Sequence, residues 1–253
     1  MISLAWQLDK HVARLQSDRF GAAVDLTRPA EGIVDVGVDG RHLEDARLLA
    51  AEIPSLRAGD ADSLIEHYAR GAELVAAYRQ SAEHPVRVDS LWRALPHTAS
   101  DLIAAVELVV SVRTELLNSR PEMHVQSGLA ANEVLRLTNT DAAGYVPIVP
   151  STTETILQPS DGIGCVLFRP TGAEISYAEM IHPDDFQHDE VLCGGRKGRC
   201  VLLRHRLFSE RLEKGVILRA RLRAAFVPRN DDLRIAAACY GSFVATEAPL
   251  ESY

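Results

Sequence analysis

Between Gly215 and Pro228 the chain reads Gly-Val-Ile-Leu-Arg-Ala-Arg-Leu-Arg-Ala-Ala-Phe-Val-Pro. Side chains of a β-strand point alternately to opposite faces, so residues two apart share a side. On a strand, Arg219, Arg221 and Arg223 line one face, while Leu218, Ala220, Leu222 and Ala224 line the other. Three guanidinium groups in a row repel one another unless anions, aromatic rings or water separate them. Such a row is either a sheet face matched by carboxylates or the floor of a site for an acidic ligand.

Strand-type runs recur along the chain. Residues 6–15, 20–26, 33–38, 86–95 and 104–117 carry alternating or β-branched patterns. Residues 63–70 and 72–80 flank Arg70-Gly71 as the arms of a hairpin. Residues 123–127, 134–138, 165–168, 175–182 and 200–207 add further short strands. Residues 139–161, punctuated by Pro147, Pro150 and Pro159, read as a long surface excursion, and the alanine-rich residues 235–246 as a closing helix. No fixed-period repeat appears, and no rhythm of strand and long amphipathic helix points to a parallel sheet. The expected fold is all-β: a large antiparallel β-sandwich with one or two short helices, spanning residues 1–253 as one domain.

Composition narrows the function classes. Apolar residues make up 47% and charged residues 25%, the proportions of an ordinary core and surface. A net charge of −8 argues against general nucleic-acid binding, although a local arginine face still selects small anions. The first ten residues lack the basic-then-apolar layout of a secretory signal, and no apolar run is long enough to span a bilayer. The expectation is a cytoplasmic protein without membrane partners. Cys165, Cys193, Cys200 and Cys239 lack zinc-type spacing and read as reduced thiols, with Cys193 and Cys200 close enough in sequence for a local staple.

Four segments together resemble a known class. They are the opening Trp6-Gln7-Leu8, the meander Val88-Asp-Ser-Leu-Trp-Arg93, the strand Val201-Leu-Leu-Arg-His-Arg-Leu207, and Gly215-Val-Ile-Leu-Arg-Ala-Arg-Leu-Arg223. In order and strand count the chain resembles the galactose-mutarotase-like, carbohydrate-binding β-sandwich superfamily. That resemblance implies a large twisted sandwich and a sugar ligand. Aldose mutarotases of the class use a histidine in an Asn-His-Thr-type segment as proton donor and a later glutamate as base. Neither local pattern occurs here, so no catalytic residue is carried over.

The residues themselves offer three constellations. Arg204 and Arg206 lie two apart on residues 200–207; if that strand neighbours the one bearing Arg219, Arg221 and Arg223, five guanidinium groups line one surface. Arginine's planar fork matches carboxylate or sulfate, as on uronic acids and sulfated sugars. The segment from Met180 to Glu190 holds His182, His188 and four carboxylates. It reads as an acidic turn, as an acid–base pair of histidines, or as ligands for a metal ion, although its six-residue histidine spacing matches no zinc motif. Trp92, beside Arg93, is a candidate stacking platform for a sugar ring or else a core residue. Gly194-Gly-Arg-Lys-Gly198 reads as a hairpin loop rather than a phosphate loop. His84, His97 and His205 stand alone, and Ser151-Thr152-Thr153 forms no nucleophile elbow.

The sequence therefore leads to a carbohydrate-binding protein recognising an acidic sugar on an arginine-lined sheet face, through Arg204, Arg206, Arg219, Arg221, Arg223 and Trp92. If it is catalytic, it is a sugar epimerase or lyase with His182 and His188 moving protons and no cofactor. The alternative is a non-catalytic assembly module whose arginine face pairs with acidic residues of a partner, including another copy of the chain.

Overall fold

The computed structural model describes residues 4–54, 56–81, 85–96, 101–140, 144–149, 154–194 and 200–247. His84, His97, Ser151–Thr153 and most of the 194–198 loop lie outside them. Along the described chain run β1 (Trp6–Asp9), β2 (Val12–Gln16), β3 (Phe20–Asp25), β4 (Ile33–Val38), β5 (Arg41–His42) and β6 (Arg47–Glu52). Then come β7 (Leu64–Arg70), β8 (Glu73–Tyr78), β9 (Val86–Ala94), β10 (Ala104–Thr114), β11 (Met123–Leu137) and β12 (Tyr145–Ile148). The last are β13 (Thr155–Leu157), β14 (Cys165–Pro170), β15 (Ile175–Ile181), β16 (Asp189–Gly194), β17 (Cys200–Leu207), β18 (Ile217–Pro228) and the helix α1 (Asp232–Ala245).

Every strand pairing among the described residues is antiparallel. The first sheet is β1–β2–β3–β4–β5. The second is β6–β11–β17–β16–β13, joined to the first where Ile33 of β4 pairs Leu48 of β6. The third runs β7–β8–β9–β10–β18–β15–β14–β11–β12. The fifteen-residue β11 belongs to two sheets: its first half pairs β17 and β6, and its second half pairs β14 and β12. A register shift between Ala131 and Glu133 marks the bend where it changes sheets. Residues 123–127 and 134–138 are therefore one strand, not the two the sequence suggested.

The inward sides of all three sheets share one core. Phe20 of β3 meets Phe226 of β18, which in turn meets Tyr177 of β15, with ring centroids 5.5 and 5.2 Å apart. On β18, Ala220, Leu222, Ala224 and Phe226 face this core, as alternation requires. The opposite face carries Ala225, which α1 covers with Ala236, Ala237, Tyr240 and Phe243 in a separate apolar cluster with Leu167, Ala178 and Met180. The helix is thus a lid on the outside of the third sheet, lying over β14, β15 and β18. None of the described helices is long and apolar enough to cross a membrane.

Strands that escaped sequence reading have physical reasons. β6 reads Arg-Leu-Leu-Ala-Ala-Glu and is buried on both sides, so no alternation betrays it. It also bends at Leu49, whose φ is +50°, opposite the register shift in β11 between Gln126 and Gly128. Gly32 leads into β4 with φ +63°, and a Cβ there would fall 2.3 Å from the Leu48 carbonyl oxygen, so this crossing requires glycine. Residues 6–15 are a hairpin turning at Lys10, φ +53°. Residues 139–161 contain two short strands, β12 and β13, among their described parts.

Candidate functional site

The two arginine rows do not meet. β17 pairs with β11 and β16, whereas β18 pairs with β10 and β15, so the strands bearing them lie in different sheets. On β17 the inward residues Val201, Leu203, His205 and Leu207 are buried, which turns Arg204 and Arg206 to the outer face of the second sheet. On β18 the outward residues Arg219, Arg221 and Arg223 emerge on the outer face of the third. Five guanidinium groups therefore do not share one surface: sequence parity was right on each strand, but neighbourhood was not.

Beneath α1 the third-sheet row is built into the structure. Arg223 donates to Glu107 Oε1 from Nε and Nη2 at 3.1 and 2.6 Å, and to the Cys239 carbonyl at 3.2 Å. Arg221 donates to the Thr246 carbonyl at 2.7 Å, and both guanidinium groups sit over the Phe243 ring, 5.0 and 4.8 Å from its centroid. Each residue is 5% exposed. Burial lowers the Arg221 pKa, with Glu107 opposing. His182, just past β15, lies on the same side, its ring edge-on to Phe243 at 5.7 Å. Its Nδ1 accepts the Asp184 N–H at 3.4 Å, and Asp185 Oδ2 accepts the Arg221 backbone N–H at 2.9 Å. Arg219, half-buried, reaches Ser111 Oγ at 3.4 Å and forms part of a shallow hollow with His182 and Asp185. Trp92 is wholly buried in the inter-sheet core.

The outer face of the second sheet gathers a different set. Across the strands Glu52 stands opposite His124, and His124 opposite Arg206. One rung along come Gln126, Arg204 and Glu190 in register. Arg204 donates to Glu190 Oε2 at 3.2 Å and to Gln126 Oε1 at 3.4 Å, and Arg206 Nη2 lies 3.3 Å from Glu122. His188, whose carbonyl accepts the Arg206 N–H, holds Nε2 3.6 Å from Glu190 Oε1. Burial depresses the His124 pKa, and the Arg204 cation depresses it further. Burial alone would raise Glu190, but the hydrogen bond from Arg204 and its charge outweigh that and hold the carboxyl below its ordinary value. At neutral pH His124 is therefore uncharged and Glu190 ionised, on a face that also carries Arg204, Arg206, His188, Glu52 and Glu122.

His188 thus falls with Arg204 and Arg206, and His182 with Arg219 and Arg221 on the far side of the sandwich. His124, Gln126 and Glu52 were missed, and Glu190 was noted only as one of the four carboxylates of residues 180–190. A signal existed for two of them: Met123 and Val125 alternate with His124 and Gln126 in the inward–outward sense of a half-buried strand. The pairing of Glu190 with Arg204 was hidden because Asp189 and Glu190 begin β16 rather than ending a loop.

Directly behind Arg204 and Arg206, His205 points into the core. Its Nδ1 lies 2.6 Å from Asp189 Oδ1 and its Nε2 2.9 Å from Glu179 Oε1. Tyr177 O–H donates to Glu179, Ser127 Oγ is 3.4 Å from that phenol oxygen, and the Leu49 N–H donates to Ser127 at 2.8 Å. Desolvation opposes the imidazolium, yet the two carboxylates prevail and push His205 up to about 10. Both ring nitrogens then donate. No group of three His, Cys, Asp or Glu among the described residues is arranged to hold a metal ion.

No family model matches the chain, and no curated protein sequence matches it. Solved structures do. An aldose 1-epimerase candidate from Escherichia coli K12 superimposes over 85% of this chain and 98% of its own, with TM-score 0.58 and 8% identity. A mutarotase candidate from Salmonella typhimurium covers 88% and 96%, at TM-score 0.54 and 10% identity. An aldose 1-epimerase candidate from Klebsiella pneumoniae covers 96% and 87%, at 0.57 and 7%. The chain has the galactose-mutarotase-like β-sandwich fold. At these identities the likeness is one of fold.

Proposed function

We propose that this protein binds an acidic carbohydrate on the outer face of the second sheet and catalyses proton transfer on it, as an epimerase acting at the anomeric carbon. The observation that carries the reading is the gathering of His124, His188 and Glu190 around Arg204 and Arg206 on one sheet face. The fold's likeness to structures described as aldose 1-epimerases and a mutarotase supports a sugar as the ligand.

Opening a pyranose ring needs one proton removed from the hydroxyl on C1 and one delivered to the ring oxygen, with the reverse on closure. His124, held neutral by burial and by the Arg204 cation, is suited to accept the first. His188, beside Glu190, is suited to deliver the second when protonated. The two residues stand about 10 Å apart across the sheet, two strand spacings, with Arg206 on the strand between them. The Arg204 and Arg206 forks meet the ligand's carboxylate, and the Arg204–Glu190 and Arg204–Gln126 contacts fix one of those forks in place.

Calorimetric titration with glucuronate, galacturonate, glucose and galactose tests the ligand class. The uronates are expected to bind at least about tenfold more tightly than the neutral sugars, and Arg204→Gln to remove that preference, as loss of a charge-assisted contact requires. Equal heats for acidic and neutral sugars overturn the acidic assignment. For the chemistry, His124→Ala should keep uronate binding while abolishing acceleration of anomer exchange followed by NMR. Unchanged exchange in that variant removes His124 from the reaction.

A further inference from the structure

Behind the face that carries Arg204 and Arg206, one rung of the second sheet is held by more than backbone pairing. Asp189 and His205 stand directly opposite each other on β16 and β17, their side chains turned into the core and only 1% and 0% exposed. The adjacent rung, Glu190 and Arg204, turns the other way, onto the open face. Asp189 grips the His205 ring through Oδ1 at 2.6 Å, and its other carboxylate oxygen has no partner among the described residues. The second ring nitrogen of His205 meets Glu179 of β15 at 2.9 Å. His205 therefore ties the strand that enters the 182–188 connection to the strand that leaves it.

The place of this contact gives it leverage. Asp189 is the first residue of β16, and strand ends open more readily than strand interiors. Successive residues on a strand point to opposite sides, so holding Asp189 inward holds Glu190 outward. His188, one residue earlier, lies outside the strand; its carbonyl accepts the Arg206 N–H at 3.3 Å, and its Nε2 stands 3.6 Å from Glu190. Opening the Asp189 rung would strip a buried imidazolium of one of its two carboxylates, which low-dielectric surroundings make costly. Setting register is the best-attested use of buried ionic groups of this kind.

We infer that Asp189 and His205 are positioning residues for the face proposed above: their buried contact holds His188 and Glu190 where proton transfer needs them. The inference rests on the proton chemistry proposed for that face. Neither residue touches the ligand, because both are buried behind the sheet. They act through His188 and Glu190, which follow the direction of Asp189 along the chain. His124 stands on β11 and depends on another pairing, opposite Glu52 and Arg206. Loosening the grip therefore disturbs one of the two proton-transferring histidines. It leaves the Arg204 contact with Gln126 and the Arg206 contact with Glu122 in place for the ligand's carboxylate.

Asp189→Ala removes the grip, whereas Asp189→Asn keeps it, since the amide oxygen takes the place of Oδ1. In the folded parent, the His188 ring protons should show nuclear Overhauser contacts to the Glu190 side chain. Asp189→Ala should lose these contacts and slow glucuronate anomer exchange at saturation by at least about tenfold, with Kd within about threefold of the parent. Asp189→Asn should retain the contacts and most of the rate. Retained contacts and rate in Asp189→Ala would overturn the inference. Equal losses in the two variants would do so too, by assigning the effect to charge rather than to the grip. Where Asp189→Ala does not fold, amide exchange in the parent decides. Asp189 and Glu190 should exchange no faster than Val191, and exchange at least about tenfold faster, the mark of a frayed end, would overturn the inference. A parent that accelerates no anomer exchange refutes the proton chemistry alone, and the Overhauser contacts of the two variants still decide the positioning.

Discussion

At the scale of single residues, His205 shows how much one interior charge governs. Wholly buried, it is held as an imidazolium between Asp189 and Glu179. Removing one partner of a buried ionic set leaves the others unpaired and costs roughly 3–5 kcal/mol. His205→Gln should therefore lower the urea midpoint sharply at pH 7. The pH dependence has a definite sign. The folded pKa of about 10 stands above the unfolded value of about 6.5, so the stabilisation is complete below about pH 6.5 and is lost as pH rises toward 10. Urea midpoints of the parent should fall between about pH 7 and about pH 9.5, and those of His205→Gln should change much less over that range. Equal slopes for the two proteins would dismiss the charged pairing. Read in sequence this histidine stood alone, although Val201, Leu203 and Leu207 share its inward side of the strand. Its partners lie on β15 and β16, and nothing local to β17 names them.

Among elements, α1 is the one whose attachment is most specific. It follows β18 after a short turn, and Asp231, with φ +70°, precedes it without a side-chain cap. The first-turn Asp232 instead receives Arg169 through two bonds of 3.0 Å and Ser176 Oγ at 2.5 Å, tying the helix to β14 and β15. Burial pushes this carboxyl up, but the Arg169 and Ser176 hydrogen bonds win and hold it below its ordinary range. Asp232→Ala should cost about 2–3 kcal/mol, the loss of charge-assisted bonds to a half-buried arginine, and should raise amide exchange across α1 before the sheets open. Unchanged exchange in the helix would mean the apolar contacts alone hold it. The alanine-rich pattern of residues 235–246 was enough to suggest a helix. β6 was invisible because burial on both sides erases alternation, and the unity of β11 was invisible because its two halves face different partners.

For the molecule as a whole, burial sorts the four thiols. Cys165 lies under α1 and Cys239 on the buried side of that helix, where desolvation raises both pKa values, whereas Cys193 and Cys200 are partly exposed at the β16–β17 end. All four are free. A thiol reagent should label the Cys193–Cys200 end first in the folded protein and the other two only on unfolding. Fast labelling of Cys165 would contradict the roofed third sheet. The same large-scale packing separates an open polar face on the second sheet, a buried ion network in the core, and the arginine row beneath the helix.

Sequence alone determined the antiparallel β class, most strand positions and which side chains share a side of each strand. These depend on residues one and two apart, where the geometry of an extended chain leaves little freedom. Tertiary structure decided which sheet each side belongs to and what stands across from it. Arg223 meets Glu107 from 116 residues away, and Arg204 meets Glu190 rather than Arg221 because β17 and β18 pair in different sheets. Strand order is set by how the full set of apolar sides closes around one core, a condition no single stretch of the chain contains.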